Sequence, residues 1–392
     1  MRLPLSILYL SHARLATVVR SFLDACPDFC LLSKQREQQI IDAIANGDET
    51  VSRDLFEAYS NNLRKAINTV FADGNTPLAD SLRANASRFS AYKAALATAQ
   101  IRDTAKNNGD PLPVLHKFNR YQATEYSTAI GRARTGKQFE EFNDDMHRRL
   151  FPNIRWLPSV AAVPREEHRI FWNRVWPKDD PFWNENQPHN LWNCMCDWEE
   201  TDDDVTTGNP LPRVVEAHQG LEGNPAETGE VFTDRHPYIK NAQEPREIET
   251  CANRIERAKY QNDDNLKAQL MAEHSVCIDG DGSIAHVDMN KYGYHEVFGK
   301  MVSASFEECY YKNEIAKRWS HYLSNSKWVA RAENNMEHNS SGGKRNEWKQ
   351  HCDYFDYYKV TLPRNRVYYM SVAHHRNGKC FLWAITTVLP SY

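Results

Sequence analysis

Residues 155–198 limit the possible folds of this chain more than any other stretch. They read RWLPSVAAVPREEHRIFWNRVWPKDDPFWNENQPHNLWNCMCDW and hold six of the chain's ten tryptophans, two histidines and the run Cys194-Met195-Cys196. Prolines at 158, 164, 177, 181 and 188 interrupt every periodic run. Tryptophans in such a segment cannot share one helical stripe. They are expected to pin irregular backbone onto a neighbouring layer, each burying a large area and each needing a partner for its indole N–H. Trp172, Trp183 and Trp192 are the expected pins. The acidic run from Glu199 to Asp204 that follows reads as a solvated loop.

The same stretch carries metal chemistry. His168, His189, Cys194 and Cys196 offer four nitrogen or sulfur donors, the number that tetrahedral zinc takes. The Cys-x-Cys spacing is tighter than the usual zinc pair. The competing reading is a hydrogen-bonded His168 beside packed thiols.

Upstream, apolar residues recur at helical steps. The spacing predicts helices over 33–45 and 50–72, then a long one over 77–106 with Thr76 as N-cap and Pro77 at its first position. A fourth runs over 113–134 and stops near Gly136, and a shorter one carries Phe139, Phe142 and Met146.

These residues carry a resemblance. Arg165-x-x-His168, Asp180-Pro181-x-Trp183 and Pro188-x-x-x-Trp192-x-Cys194-x-Cys196 are similar to the core signature of the phage head-morphogenesis family typified by the minor head protein of phage Mu. Gln187 stands where that family has a first proline, and Met195 where it has arginine. Phe89-Ser90-Ala91-Tyr92-Lys93 and Thr124-Glu125-Tyr126 resemble elements that precede the signature. Asn224-Pro225, Phe232-Thr233 and His236-Pro237-Tyr238 resemble a segment downstream of it. The resemblance covers roughly residues 75–200. It implies a minor head protein that binds portal and capsid or scaffold proteins, in the virion and the host bacterial cytoplasm.

Residues 206–274 read as a Gly/Pro/Asn-rich appendage followed by a charged helical connector. Residues 275–392 change character. Asp279-Gly280-Asp281-Gly282 reads as a tight turn between strands, since the spacing of a calcium loop is absent. A helix is expected over 303–323. Strands are expected over 354–361, 366–373 and 380–388, with Asn377-Gly378 as a type I′ hairpin turn. The expected architecture is thus α+β and multidomain: a helical extension over 1–74, a mainly helical head-morphogenesis domain over 75–205, the connector, and a C-terminal α+β domain with an antiparallel meander.

The cadence of aromatics in that last domain loosely resembles the barnase, EndoU, colicin and RelE type of nuclease module. The resemblance implies an alternative function, a phage-delivered ribonuclease acting on RNA without metal. Such chemistry needs an acid, a base and cations for the phosphate. His338 and His374 are the acid/base candidates because histidine titrates near neutrality. Arg364 and Arg366 would hold phosphate by forked hydrogen bonds, and Thr386 would donate one more. A non-catalytic interaction protein is the remaining alternative.

Composition excludes some classes. The formal net charge is −4 and the sequence pI about 6.4, which argues against a general nucleic-acid coat. No apolar run reaches the roughly 20 residues of a membrane span. The N-terminal LPLSILYL lacks a small-residue cleavage site, so no signal peptide is expected. Nine cysteines, an odd number in a long chain, suit reduced thiols.

Overall fold

A computed structural model describes residues 34–72, 74, 76–207, 215–299, 304–334, 348–362 and 365–389. The protein is α+β and forms two compact units that divide at Ile248/Glu249. Among the described residues no helix is long and apolar enough to cross a membrane.

The first unit begins with a helical layer: α1 (Lys34–Asn46), α2 (Arg53–Val70), α3 (Pro77–Lys106) and α4 (Leu112–Phe142). The Thr76 side chain accepts from the Ala79 N–H at 3.2 Å and Pro77 opens α3, as the sequence predicts. α3 is buried along most of its length because its alanines and serines let neighbours approach on every side. The helices before residue 75 are part of this layer: Arg102 of α3 donates to the carbonyls of Ile44 and Glu49, and Ser60 of α2 bonds Ser87. They are not a separate extension.

α4 does not stop near Gly136 but runs on to Phe142. Its two glycines serve close approach. A methyl at Gly131 would fall within the His189 ring, and one at Gly136 would lie 3.2 Å from Pro225 Cβ and 3.3 Å from the Ala226 nitrogen. A glycine bare on one face lets another segment lie against the helix backbone.

Beyond α5 (Asp145–Leu150), the Trp-rich stretch builds a small sheet that the sequence did not reveal. Its strands are β1 (Asn153–Leu157), β2 (Val175–Pro177) and β3 (Asp197–Thr201), in the order β2-β1-β3 with antiparallel pairing. The single turns α6 (Glu166–Arg169) and α7 (Phe182–Glu185) lie between them. The acidic run is therefore partly strand. Glu199 pairs with Arg155 at 2.8 Å, and Glu200 pairs with Lys178 at 2.9 Å and His147 at 2.7 Å.

The buried tryptophans of this stretch are Trp156, Trp176, Trp183 and Trp198. They pack with Phe171 and Phe182 in one aromatic core, Trp176 stacked on Phe182 at 4.1 Å. Of the three expected pins only Trp183 is fully buried. Trp172 lies at the rim under Arg169, and Trp192 stacks on Phe232 at 5.8 Å between centroids. The Trp183 and Trp198 indoles donate to Pro177 O and Gln138 Oε1, whereas the buried Nε1 of Trp176 has no partner among the described residues.

The Gly/Pro/Asn-rich stretch from residue 215 is bound into this unit and is no linker. It carries α8 (Pro225–Thr228) and α9 (Pro237–Lys240). The Asn85 carboxamide accepts from the Val231 and Phe232 N–H groups, both at 2.9 Å, and donates to Phe232 O at 2.9 Å. Arg132 is wholly buried and donates to the carbonyls of Leu221, Glu222, Gly223 and Glu230 at 2.8–3.3 Å. Burial draws its guanidinium down to about 10, against the pull of Glu230 and Glu222. Asn85 and its neighbours Ala86 and Ser87 are all buried.

The charged connector is two helices, α10 (Pro245–Gln261) and α11 (Asp264–Ala272). In the second unit β4 (His274–Ile278) and β5 (Ile284–Asp288) form the expected hairpin, with the Asp279 carboxylate accepting from the Asp281 and Ser283 N–H groups. Three helices follow: α12 (Lys291–Val297), α13 (Phe306–Lys317) and α14 (Trp319–Ser324). A capping box of Ser305 and Glu308 starts α13. The strands β6 (Lys327–Glu333), β7 (Cys352–Leu362), β8 (Arg366–His375) and β9 (Cys380–Thr386) complete a six-stranded sheet, ordered β4-β5-β9-β8-β7-β6.

The β7-β8-β9 meander is as expected, but β5 joins β9 in parallel, so the sheet is mixed. Register shifts in all three pairs from β6 to β9 are the irregularities that bend a sheet. The sheet curls until the β4–β5 turn reaches β6, where Asp281 meets Arg331 at 2.9 Å. The β8–β9 turn is a three-residue loop and not type I′: His375 N–H bonds Lys379 O, Gly378 N–H bonds His375 O, and Gly378 has φ 80°.

Candidate metal centre

Three of the four donors singled out in the sequence come together. His168, Cys194 and Cys196 are all buried, with donor atoms within 4.8 Å of one another. His168 sits on the single turn α6, beneath Trp156, whose ring meets the imidazole edge-on at 5.0 Å. Its Nδ1 lies 3.3 Å from Cys194 Sγ. The Cys196 N–H points at Cys194 Sγ at 3.4 Å, a closeness that Cys-x-Cys spacing makes possible. The other ring nitrogen of His168, Nε2, is buried with no hydrogen-bond partner among the described residues.

The two thiols titrate as a pair. Burial pushes Cys194 up, while Cys196 is drawn down to about 5, first by the Cys194 thiol hydrogen bond and then by His168, with burial opposing. A buried imidazole and two thiols, one of which readily ionises, could hold a metal ion.

His189 is not in the group. It adopts φ 69°, and its Nδ1 faces the Thr135 hydroxyl of α4 at 3.2 Å. Burial, then the charges of Arg134, His168 and Arg132, hold it down to about 3, so it stays neutral. Its function in the fold is to fill the hollow at Gly131. No spacing rule separates this histidine from His168, because the difference arises from packing against a helix about sixty residues earlier in the chain.

The stretches around the centre also meet. Phe89 of α3 stacks on Phe232 at 4.1 Å and touches the rings of His236 and Tyr238. Lys93 pairs with Glu125 at 2.5 Å, both buried, and lies over the Tyr59 ring at 4.3 Å. Burial raises the Glu125 carboxyl, with Lys93 pulling it back. Sequence reading treated these residues as motif letters. Their charge complementarity, Lys93 with Glu125, was the available signal.

Among the described residues, those expected to form a catalytic constellation in the second unit do not come together. His338 and Arg364 lie outside the described residues. Arg366 and His374 sit eight positions apart on β8, about 26 Å at a strand's rise of ~3.3 Å per residue. Arg366 pairs with Glu307 at 3.1 Å and covers the Tyr311 ring, and the Thr386 hydroxyl is spent on the Val388 backbone. A phosphate held by Arg366 is out of reach of His374.

His374 has other company. Its Nε2 lies 3.0 Å from Asp356 Oδ2 of β7, close enough for an ion pair although the N–H is not aimed well enough for a directed hydrogen bond. Asp356 is wholly buried and also takes Arg331 Nε at 2.8 Å, Arg331 Nη2 at 3.0 Å and Trp328 Nε1 at 3.0 Å. Burial opposes its ionisation, but His374, Arg331 and Trp328 outweigh that and hold the carboxyl at about 2. No protein-family model, curated protein or solved structure matches the chain.

Proposed function

We propose that the first unit is the head-morphogenesis module of a tailed phage or prophage, a minor head protein that binds portal and capsid or scaffold proteins. The second unit is an effector-like passenger. One observation supports this reading above the rest. The separate stretches that resemble the family pack on one another: Phe89 on Phe232, His236 and Tyr238, Lys93 on Glu125, and His168 beside Cys194. Motif letters matched by chance have no reason to converge in space, least of all Phe89 with Phe232, His236 and Tyr238, which lie well over a hundred residues away in the chain.

Within that module the ion proposed for His168, Cys194 and Cys196 is zinc, since thiolate and imidazole donors select it. His168 Nδ1 already faces the Cys194 sulfur, with the Cys196 sulfur close by, so an imidazole nitrogen and two sulfurs converge where a cation would sit. Zinc would supply a cross-link between α6 and the turn before β3. His168 and the two cysteines orient each other and exclude water.

The test is co-sedimentation of the purified chain with assembled portal rings and with empty capsid shells, together with elemental analysis. The reading expects binding to at least one assembly and one zinc per chain, lost in Cys194→Ser/Cys196→Ser. A folded chain that binds neither assembly would reject the head-protein reading, and a folded, metal-free chain would reject zinc. RNA incubated with the chain in EDTA is expected to stay intact.

A further inference from the structure

The second unit holds a nucleophile, a base and an orienting carboxylate in line across three adjacent strands. Cys380 opens β9, His374 faces it across the ladder on β8, and Asp356 follows on β7. Cys380 Sγ lies 3.4 Å from His374 Nδ1, and His374 Nε2 lies 3.0 Å from Asp356 Oδ2. We propose that Cys380 is a thiol nucleophile that takes an acyl group from an activated ester or thioester, with His374 as its base and Asp356 as the positioning residue.

The imidazole is fixed from several sides. Tyr354 stacks on it at 4.3 Å, and Arg331 lies over the ring of that tyrosine at 3.9 Å. Asp356 is fixed in turn by Arg331 and Trp328. Fold stability alone does not require such a cluster, since burying charges costs more than packing apolar side chains in their place. A nucleophile, a base bonded to it and a third group orienting the base form the arrangement that acyl transfer uses on unrelated folds. The two ring nitrogens face different partners: Nε2 faces Asp356 and Nδ1 faces the thiol, so the neutral ring can take the thiol proton on Nδ1. Burial lowers His374, but Asp356 and Cys380 prevail and push it up to about 9, so the neutral form that can take the thiol proton grows as pH rises toward that value. Cys380 is half-buried, beside the exposed β8–β9 turn, so an acyl group carried on another molecule can reach it.

The step balances. The Cys380 S–H proton passes to His374 Nδ1 as sulfur bonds to the acyl carbon. The bond from that carbon to the leaving oxygen or sulfur breaks, and His374 returns the proton to the leaving atom. An ester and a thiol become a thioester and an alcohol, with no change of oxidation state. This does not depend on the head-protein reading.

The test mixes the full chain with p-nitrophenyl acetate. The proposal expects a rapid release of one nitrophenolate per chain, with the acetyl group found on Cys380 by peptide mass spectrometry. His374→Gln should slow that phase by about a hundredfold. Asp356→Asn should slow it while leaving its amplitude at one per chain, a split that mere unfolding would not produce. Release without a burst, acetyl on another residue, or an unchanged rate in folded His374→Gln would each overturn the proposal. The wild-type label alone decides the matter if the variants fail to fold.

Discussion

Trp183, wholly buried, meets Trp156, Trp176, Phe182 and Trp198 in the aromatic core, and its indole reaches Pro177 O. Trp183→Ala should cost about 3–5 kcal/mol in denaturant unfolding, the range for a buried tryptophan. Trp172→Ala and Trp192→Ala should cost clearly less, because both side chains keep part of their surface in water. In the second unit His374 and Asp356 predict a pH dependence. The His374 value of about 9 is raised above its ordinary 6.5, so its stabilisation is full below about pH 6.5 and is lost as pH rises through 9. The Asp356 value of about 2 is depressed below 3.8, so its share is full above about pH 4 and is lost as pH falls toward 2. The melting temperature of the second unit should therefore plateau between about pH 4 and 6.5 and fall toward pH 9. His374→Gln should flatten the alkaline limb. A limb just as steep in that variant would contradict the assignment.

Among the elements, α4 runs past Gly136, where the sequence predicts its end. Gly131 and Gly136 are contact points for His189 and Pro225, which no local rule foresees. Gly131→Ala should lower stability by about 1–3 kcal/mol through overpacking against the His189 ring. A melting temperature that stays the same or rises would mean that the ring can move aside. Arg132→Ala would strand four carbonyls of the 221–230 stretch, and a loss of roughly 3 kcal/mol or more follows from their desolvation. The long helices and the strands of the meander were legible because their patterns are local: the Thr76-Pro77 cap and the aromatic alternation of β7 and β8. The small sheet β2-β1-β3 was not, since β1 is five residues long and pairs with strands about twenty and forty residues away in sequence. The metal donors were legible as types. Which three of the four converge depended on the packing of His189.

For the whole molecule, the division at Ile248/Glu249 falls later than the composition change near residue 205 suggested, because Asn85 and Arg132 bind the Gly/Pro-rich stretch into the first unit. Two unfolding transitions are expected in calorimetry. Chelation with EDTA should lower only the one belonging to the first unit, and His374→Gln only the other. Movement of both transitions by either change would contradict independent units. The head-protein reading is tested most directly by peptide mass spectrometry of purified particles from a lysogen that carries the gene. The account predicts peptides of this chain in mature or immature heads, at a level far below the major capsid protein. Heads that assemble normally and contain none, while the chain accumulates free in the lysate, would contradict it.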